Sequence, residues 1–237
     1  MADPLWRRAE SDLWVEPAGA VPDPVVWEHS SRVARLADVI VSLPEVTADV
    51  VDRVALAAAA LYHDAGWVLQ LQAGELTPQE LLLRPTSDIL HELAADWIAS
   101  RLKGIIPPAS LQLAARAIRA CSNRRTDLIE AQILTEANNL DEIGPQTISL
   151  MLRKQWAEGK TLDDLVTAWQ RQQEYHYWQA RIRDSFRFPS VRALAERRWQ
   201  GLRQFMANLQ AAIRLEDVAE IQRLSRPKKR PRPPSNR

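Results

Sequence analysis

Apolar residues recur every three to four positions along most of the chain, which is the period of helices with one buried face. Asp23 and Pro24 read as a cap and a first-turn proline opening a helix to about Leu43, with Val25, Val26, Val33, Leu36, Ala37 and Ile40 along one side and Pro44 ending it. A second helix is expected from about Ala48 to His63. Its VALAAAALYH core is small-residued, so neighbouring helices can come close and it should be central. Gly74 breaks the chain, and Leu76–Leu83 reads as a short helix within the connection. Thr86–Ser87–Asp88 starts the next helix, to about Leu102. Pro107–Pro108 opens another through Cys121, Asp127–Leu140 follows, and a further one runs from Gly144–Pro145 to Ala157. Thr161 with Asp164 suggests a capping box for one long helix towards Ser185. Pro189 then starts a last long helix carrying Val191, Leu194, Ala195, Trp199, Leu202, Phe205, Met206 and Leu209.

Composition sharpens this into an all-α fold. Across 237 residues there are 7 glycines and 3 phenylalanines, beside abundant Ala, Leu, Gln and Arg. The nine tryptophans are expected at helix seams, where an indole buries area and its N–H finds one partner. No internal repeat and no Gly/Ser-rich linker divides the body. The organisation expected is an N-terminal extension (1–21), one helical bundle (22–213), and a basic Pro-rich tail (214–237) that reads as disordered from about 224.

Charge separates that tail from the rest. The net charge of +1 combines 31 bases and 30 acids; residues 222–237 hold 7 bases and no acid, which leaves 24 bases against 30 acids, or −6, on the body. An acidic body offers no nucleic-acid footprint, so only weak contact through the tail is expected. Cys121 is the single cysteine, so no intrachain disulfide forms. The start MADPLWRRAESDLW lacks the pattern of a signal peptide, and the longest apolar stretch, Val54–Tyr62, is too short to span a bilayer. A cytoplasmic protein without membrane association is the expectation.

The histidines are four: 29, 63, 91 and 176. His63 and Asp64 are adjacent at the end of the central helix, where both can turn towards one ion although mid-helix neighbours diverge by about 100°. Imidazole with carboxylate suits Zn, Mn, Fe or Co. His29 lies on the preceding helix, and an antiparallel pair would bring it to His63. The bland alternative is a hydrogen-bonded pair.

These residues carry a resemblance. H29-S-S-R-V-A-R-L-A, then A-L-Y-H63-D64-A-G, then I133-L-T-E136-A-N-N-L-D141-E-I-G144 resemble the motifs of the HD superfamily of metal-dependent phosphohydrolases, in order and at similar spacing. The resemblance runs from about residue 22 to about 213. It implies an all-helical bundle around one divalent ion (Mn, Fe, Co, Zn or Mg), held by His29, His63, Asp64 and, by position, Glu136 in place of the usual final aspartate. Asn138 replaces a further acid of that motif, and Cys121 stands where relatives carry a histidine, which leaves few ligands for a second ion.

The function so implied is hydrolysis of a nucleotide or other small phosphate ester by activated water. Asp64 would orient that water, Arg32 would meet a phosphate oxygen, and His91 would serve as proton donor, extra ligand or phosphate contact. Arg84 and Lys103 are secondary phosphate candidates, with Glu75 and Asp88 as possible acids or bases. W67-V-L-Q after His–Asp, in place of acidic residues, argues against guanosine tetraphosphate as substrate. The alternative is a degenerate, non-catalytic HD domain acting as a metal- or nucleotide-binding regulatory module. A homodimer is compatible with either.

Overall fold

The structure is a computed structural model describing residues 3–15, 22–47, 50–218 and 221. The tail from about 224, expected to be disordered, lies outside these residues, as does the junction 16–21. The chain is all-α: α1 Pro4–Leu13, α2 Val25–Val41, α3 Arg53–Tyr62, α4 Ala65–Gln72, α5 Asp88–Arg101, α6 Pro108–Ala120, α7 Ile129–Asp141, α8 Thr147–Ala157, α9 Leu162–Glu174, α10 Tyr177–Ser185 and α11 Pro189–Ile213.

The central layer is α2, α3 and α7, with α6 and α5 behind α3. It forms because α3 presents Ala55, Ala58, Ala59 and Ala60, all fully or nearly fully buried, so the flanking helices approach without large side chains between them. Asp52 starts α3: its Oδ1 accepts from the N–H groups of Val54 (3.0 Å) and Ala55 (2.9 Å). The helix therefore begins at Arg53, later than the sequence pattern suggests. Gly66 permits the next close approach, since a Cβ there would lie 2.4 Å from the Leu90 carbonyl oxygen in α5. Among the described residues one stretch, Arg53–Gln72, is apolar and long enough to cross a membrane by composition, but 72% of its window is buried inside the protein. Its apolar surface is spent on this core.

Two elements differ from expectation, and the N-terminal extension carries a helix. The expected extension includes α1, which packs on α2 and α3 through buried Leu5, Ala9 and Leu13. Buried Asp12 ties it down, accepting from Tyr62 Oη (2.8 Å) and the Arg101 guanidinium (2.6 Å). The short helix expected over Leu76–Leu83 is a single 3₁₀ turn, Pro78–Glu80, held by a Thr77/Glu80 capping box. The long helix expected to Ser185 breaks at Tyr175–His176 into α9 and α10, although the capping box Thr161/Asp164 forms as the pattern indicates.

Candidate metal centre

His29 projects from the second turn of α2, His63 caps the C-terminus of α3, and Asp64 forms the joint into α4. The joint solves the divergence problem. His63 keeps helical dihedrals while Asp64 leaves them (φ −99°, ψ 10°), which turns both side chains to one side. His29 Nε2 lies 3.3 Å from His63 Nε2 and 3.3 Å from Asp64 Oδ2, and His63 Nε2 lies 3.5 Å from the same oxygen. Three ligands about 2.1 Å from one ion sit about 3.0 Å apart in cis octahedral and about 3.4 Å apart in tetrahedral geometry. The triangle has the size of one face of a coordination shell, and these residues could hold a metal ion.

Outer partners fix which nitrogen faces inward. His63 Nδ1 is 2.9 Å from the Ala60 carbonyl oxygen, which can only accept, so Nδ1–H donates and Nε2 keeps its lone pair for the centre. His29 Nδ1 donates to Asp141 Oδ2 (2.8 Å), which turns its Nε2 towards the centre. Asp141 is in turn gripped by Arg32, whose Nε and Nη2 donate to its two oxygens at 2.8 and 3.0 Å. Thr86 Oγ1 donates to Asp64 Oδ1 (2.6 Å) and accepts from Trp67 Nε1 (2.9 Å), leaving Oδ2 for the centre.

The electrostatics follow from burial and these bonds. Burial raises the Asp64 pKa, but His63, the His29 hydrogen bond and Thr86 outweigh it and hold the carboxyl well below its usual range. Asp141 is likewise held low by His29 and Arg32 against its burial. Burial lowers the His63 pKa further than Asp64 raises it, so this ring is neutral. His29 is the opposite case: burial would lower it, yet Asp141 and Asp64 together push it up to about 10. The point where the imidazoles converge is thus bordered by one ionised carboxylate, Asp64, with Asp141 behind His29.

Glu136, expected as the fourth ligand, is not brought to this cluster. Its carboxylate accepts from the backbone N–H groups of Arg187 (2.7 Å) and Phe188 (3.4 Å), anchoring the segment that leads into α11. Burial raises its pKa, opposed by those two donors. Asn138 is the α7 side chain placed against His63, and its Oδ1 is buried with no hydrogen-bond partner among the described residues. Arg32 holds Asp141 rather than standing free for a phosphate. Asp141 and Thr86 are the residues that sequence reasoning left unassigned.

Around the centre, two cavities share a wall made by Thr86, Glu142, Tyr177 and Arg181. One, about 240 Å³, is lined by His29, Asp64 and Arg84. The other, about 680 Å³, is lined by His91, Cys121 and Asn138. His91 Nε2 lies 3.6 Å from Cys121 Sγ. Burial, then His63, lowers the His91 pKa, and burial with nearby Asp64 pushes the Cys121 thiol up to about 12. A neutral thiol is a poor ligand. Lys103 lies in a separate groove between α5 and α6, Glu75 is exposed and lines neither cavity, and Asp88 accepts from Ser122 Oγ (2.7 Å).

Comparisons with known proteins bear on the family and the fold. The HD domain family profile matches residues 26–143. Bacillus subtilis YpgQ, whose structure was solved in complex with ADP, is 24% identical with a TM-score of 0.57, covering 90% of this chain and 98% of its own. A predicted HD superfamily hydrolase from an uncultured Thermotogales bacterium is 17% identical with a TM-score of 0.53, covering 88% and 90%. The Lin1889 protein of Listeria innocua is 18% identical with a TM-score of 0.51, covering 79% and 87%. No curated protein matches the chain in sequence. Residues 26–143, which supply His29, His63, Asp64, Thr86 and Asp141, therefore match the HD domain family, within a chain that shares its helical fold with these solved structures over most of its length.

Proposed function

We propose that the chain is a metal-dependent phosphohydrolase acting on a nucleotide or another small phosphate ester. The observation that carries this is the convergence of His29 Nε2, His63 Nε2 and Asp64 Oδ2 at coordination-shell spacing beside a cavity that also holds arginines. HD domains are generally metal-dependent phosphohydrolases, and the similar fold of YpgQ was solved with ADP bound. A divalent ion bound here would polarise a phosphoryl oxygen and lower the pKa of water.

The chain's own residues do the rest. His29, His63 and Asp64 hold the ion, and Thr86, Asp141 and the Ala60 carbonyl keep their donor atoms aimed at it. Arg84 and Arg181 line the smaller cavity with His29 and Asp64, so their guanidinium groups neutralise phosphate oxygens there. Arg84 is steadied by stacking over Trp67, 5.5 Å from the ring centroid. His91, in the wall of the larger cavity with its pKa lowered chiefly by burial, would donate an N–H hydrogen bond to a phosphate oxygen.

The test is phosphate release from a panel of nucleotides and simple phosphate esters with Mn²⁺, comparing wild type with Asp64→Ala. Release that the substitution lowers by at least a hundredfold supports the reading. No release from any substrate at high protein concentration overturns it and leaves a binding module.

A further inference from the structure

The break between α9 and α10 has no glycine or proline to cause it. His176 adopts the left-handed conformation (φ 51°, ψ 32°), which costs a non-glycine residue about 1 kcal/mol or more. The turn is held from below. Trp178 is buried, its Nε1 donates to Gln172 Oε1 (3.0 Å), and its ring lies 6.0 Å from that of Trp169. Docking α10 back on α9 through these two tryptophans leaves the neighbouring aromatics outside. Tyr175 is 80% exposed and Tyr177 43%, and both line the 680 Å³ cavity.

Tyr177 and Arg181 lie one helical turn apart and bound both cavities. Arg181 Nη1 donates to Tyr177 Oη (3.3 Å), and its other end is ion-paired with Glu142. Exposure falls from the two tyrosine rings, through the half-buried Arg181 side chain, to the buried His/Asp centre. That order matches a nucleoside polyphosphate: a flat apolar base, a phosphate chain, and a terminal phosphorus near a cation. Exposed rings at a polar cleft gain by stacking on a base, and the half-buried Arg181 guanidinium, paired with Glu142 at one end, offers N–H donors that suit phosphate oxygens. The cleft volume falls within the range of about 300–1,000 Å³ usual for small-molecule sites.

We infer that the Tyr175–His176–Tyr177 turn and Arg181, which lie outside the HD-matched segment, form a nucleotide-recognition element. Tyr175 and Tyr177 take the base, and Arg181 takes the phosphate chain. This names the substrate class for the site proposed above and rests on that cleft being the substrate site. Two non-hydrolysable probes test it in the full chain loaded with Mn²⁺: adenosine α,β-methylene diphosphate, and methylenediphosphonate, which has no base.

By calorimetry, Tyr175→Ala and Tyr177→Ala are each expected to weaken the nucleotide probe about tenfold, the order of one stacking contact, with methylenediphosphonate changed less than twofold. Tyr177→Phe retains wild-type affinity for the nucleotide, and Arg181→Gln weakens both probes. The exposure of Tyr175 keeps the fold intact in its variant, which circular dichroism verifies. Tyrosine variants that bind the nucleotide like wild type, or lose both probes equally, overturn the inference. If no substrate releases phosphate but tyrosine-dependent binding persists, the hydrolytic reading fails and this one stands.

Discussion

Loading the centre with Mn²⁺ at neutral pH should release close to one proton, and His29 is its source. In the metal-free protein Asp141 and Asp64 push the His29 pKa up to about 10 against its burial, so the ring is an imidazolium at pH 7. His63 is neutral and both carboxyls are ionised, so no other group of the centre has a proton to give. Only neutral imidazole ligates, so metal affinity must rise tenfold per pH unit until the pH reaches about 10. From pH 7 to pH 10 that amounts to about a thousandfold, or about 4 kcal/mol at 1.36 kcal/mol per unit. The sign for the metal-free fold is opposite. A pKa raised from 6.5 to about 10 gives stability that is full below pH 6.5 and is lost as the pH rises through about 10. Calorimetry of Mn²⁺ binding at pH 6.5–8.5, in buffers of differing ionisation enthalpy, counts the proton directly. Asp141→Asn should reduce the count. Affinity independent of pH over that range, with no buffer dependence of the heat, would refute the reasoning.

Other substitutions separate the layers around the site. Arg32→Ala frees Asp141 from its two-bond grip and should weaken metal binding about 10- to 100-fold by titration, with little change in helix content by circular dichroism. Glu136→Ala leaves the Arg187 and Phe188 N–H groups without their acceptor. It should cost about 2–4 kcal/mol in urea unfolding and change Mn²⁺ affinity less than twofold, whereas a ligand at that position would lose the ion. Gly66→Ala drives a Cβ against the Leu90 carbonyl and should lower stability by about 1–3 kcal/mol or more, seen as a fall in the thermal midpoint.

The ordering of helices and the pairing of His29 with His63 and Asp64 were legible in the sequence. Apolar spacing marks α2, and the adjacent His–Asp pair at a helix end, which alone also fits a hydrogen-bonded pair, was readable as a site through the order and spacing of the three HD-like motifs. The residue that α7 contributes was not legible. Glu136 and Asn138 are two residues apart and diverge by about 200°, whereas Asn138 and Asp141 are three apart and share a face. Which face turns inward depends on how Ile133, Leu134, Ala137 and Leu140 seat in the core, and spacing along the chain carries no information about that rotation. Arg32 shows the same limit. Its place one turn after His29 was visible, but its partner lies 109 residues away. The break at His176 escaped notice because a tertiary contact between two tryptophans imposes it, without a helix-breaking residue.

One titration tests the centre itself. Mn²⁺ added to chelator-stripped protein and followed by paramagnetic resonance should saturate at one ion per chain. His63→Ala and Asp64→Asn should abolish that uptake, and Glu136→Gln should leave it intact. Wild-type protein that takes up no ion, or uptake unaffected in the first two variants, would contradict the account.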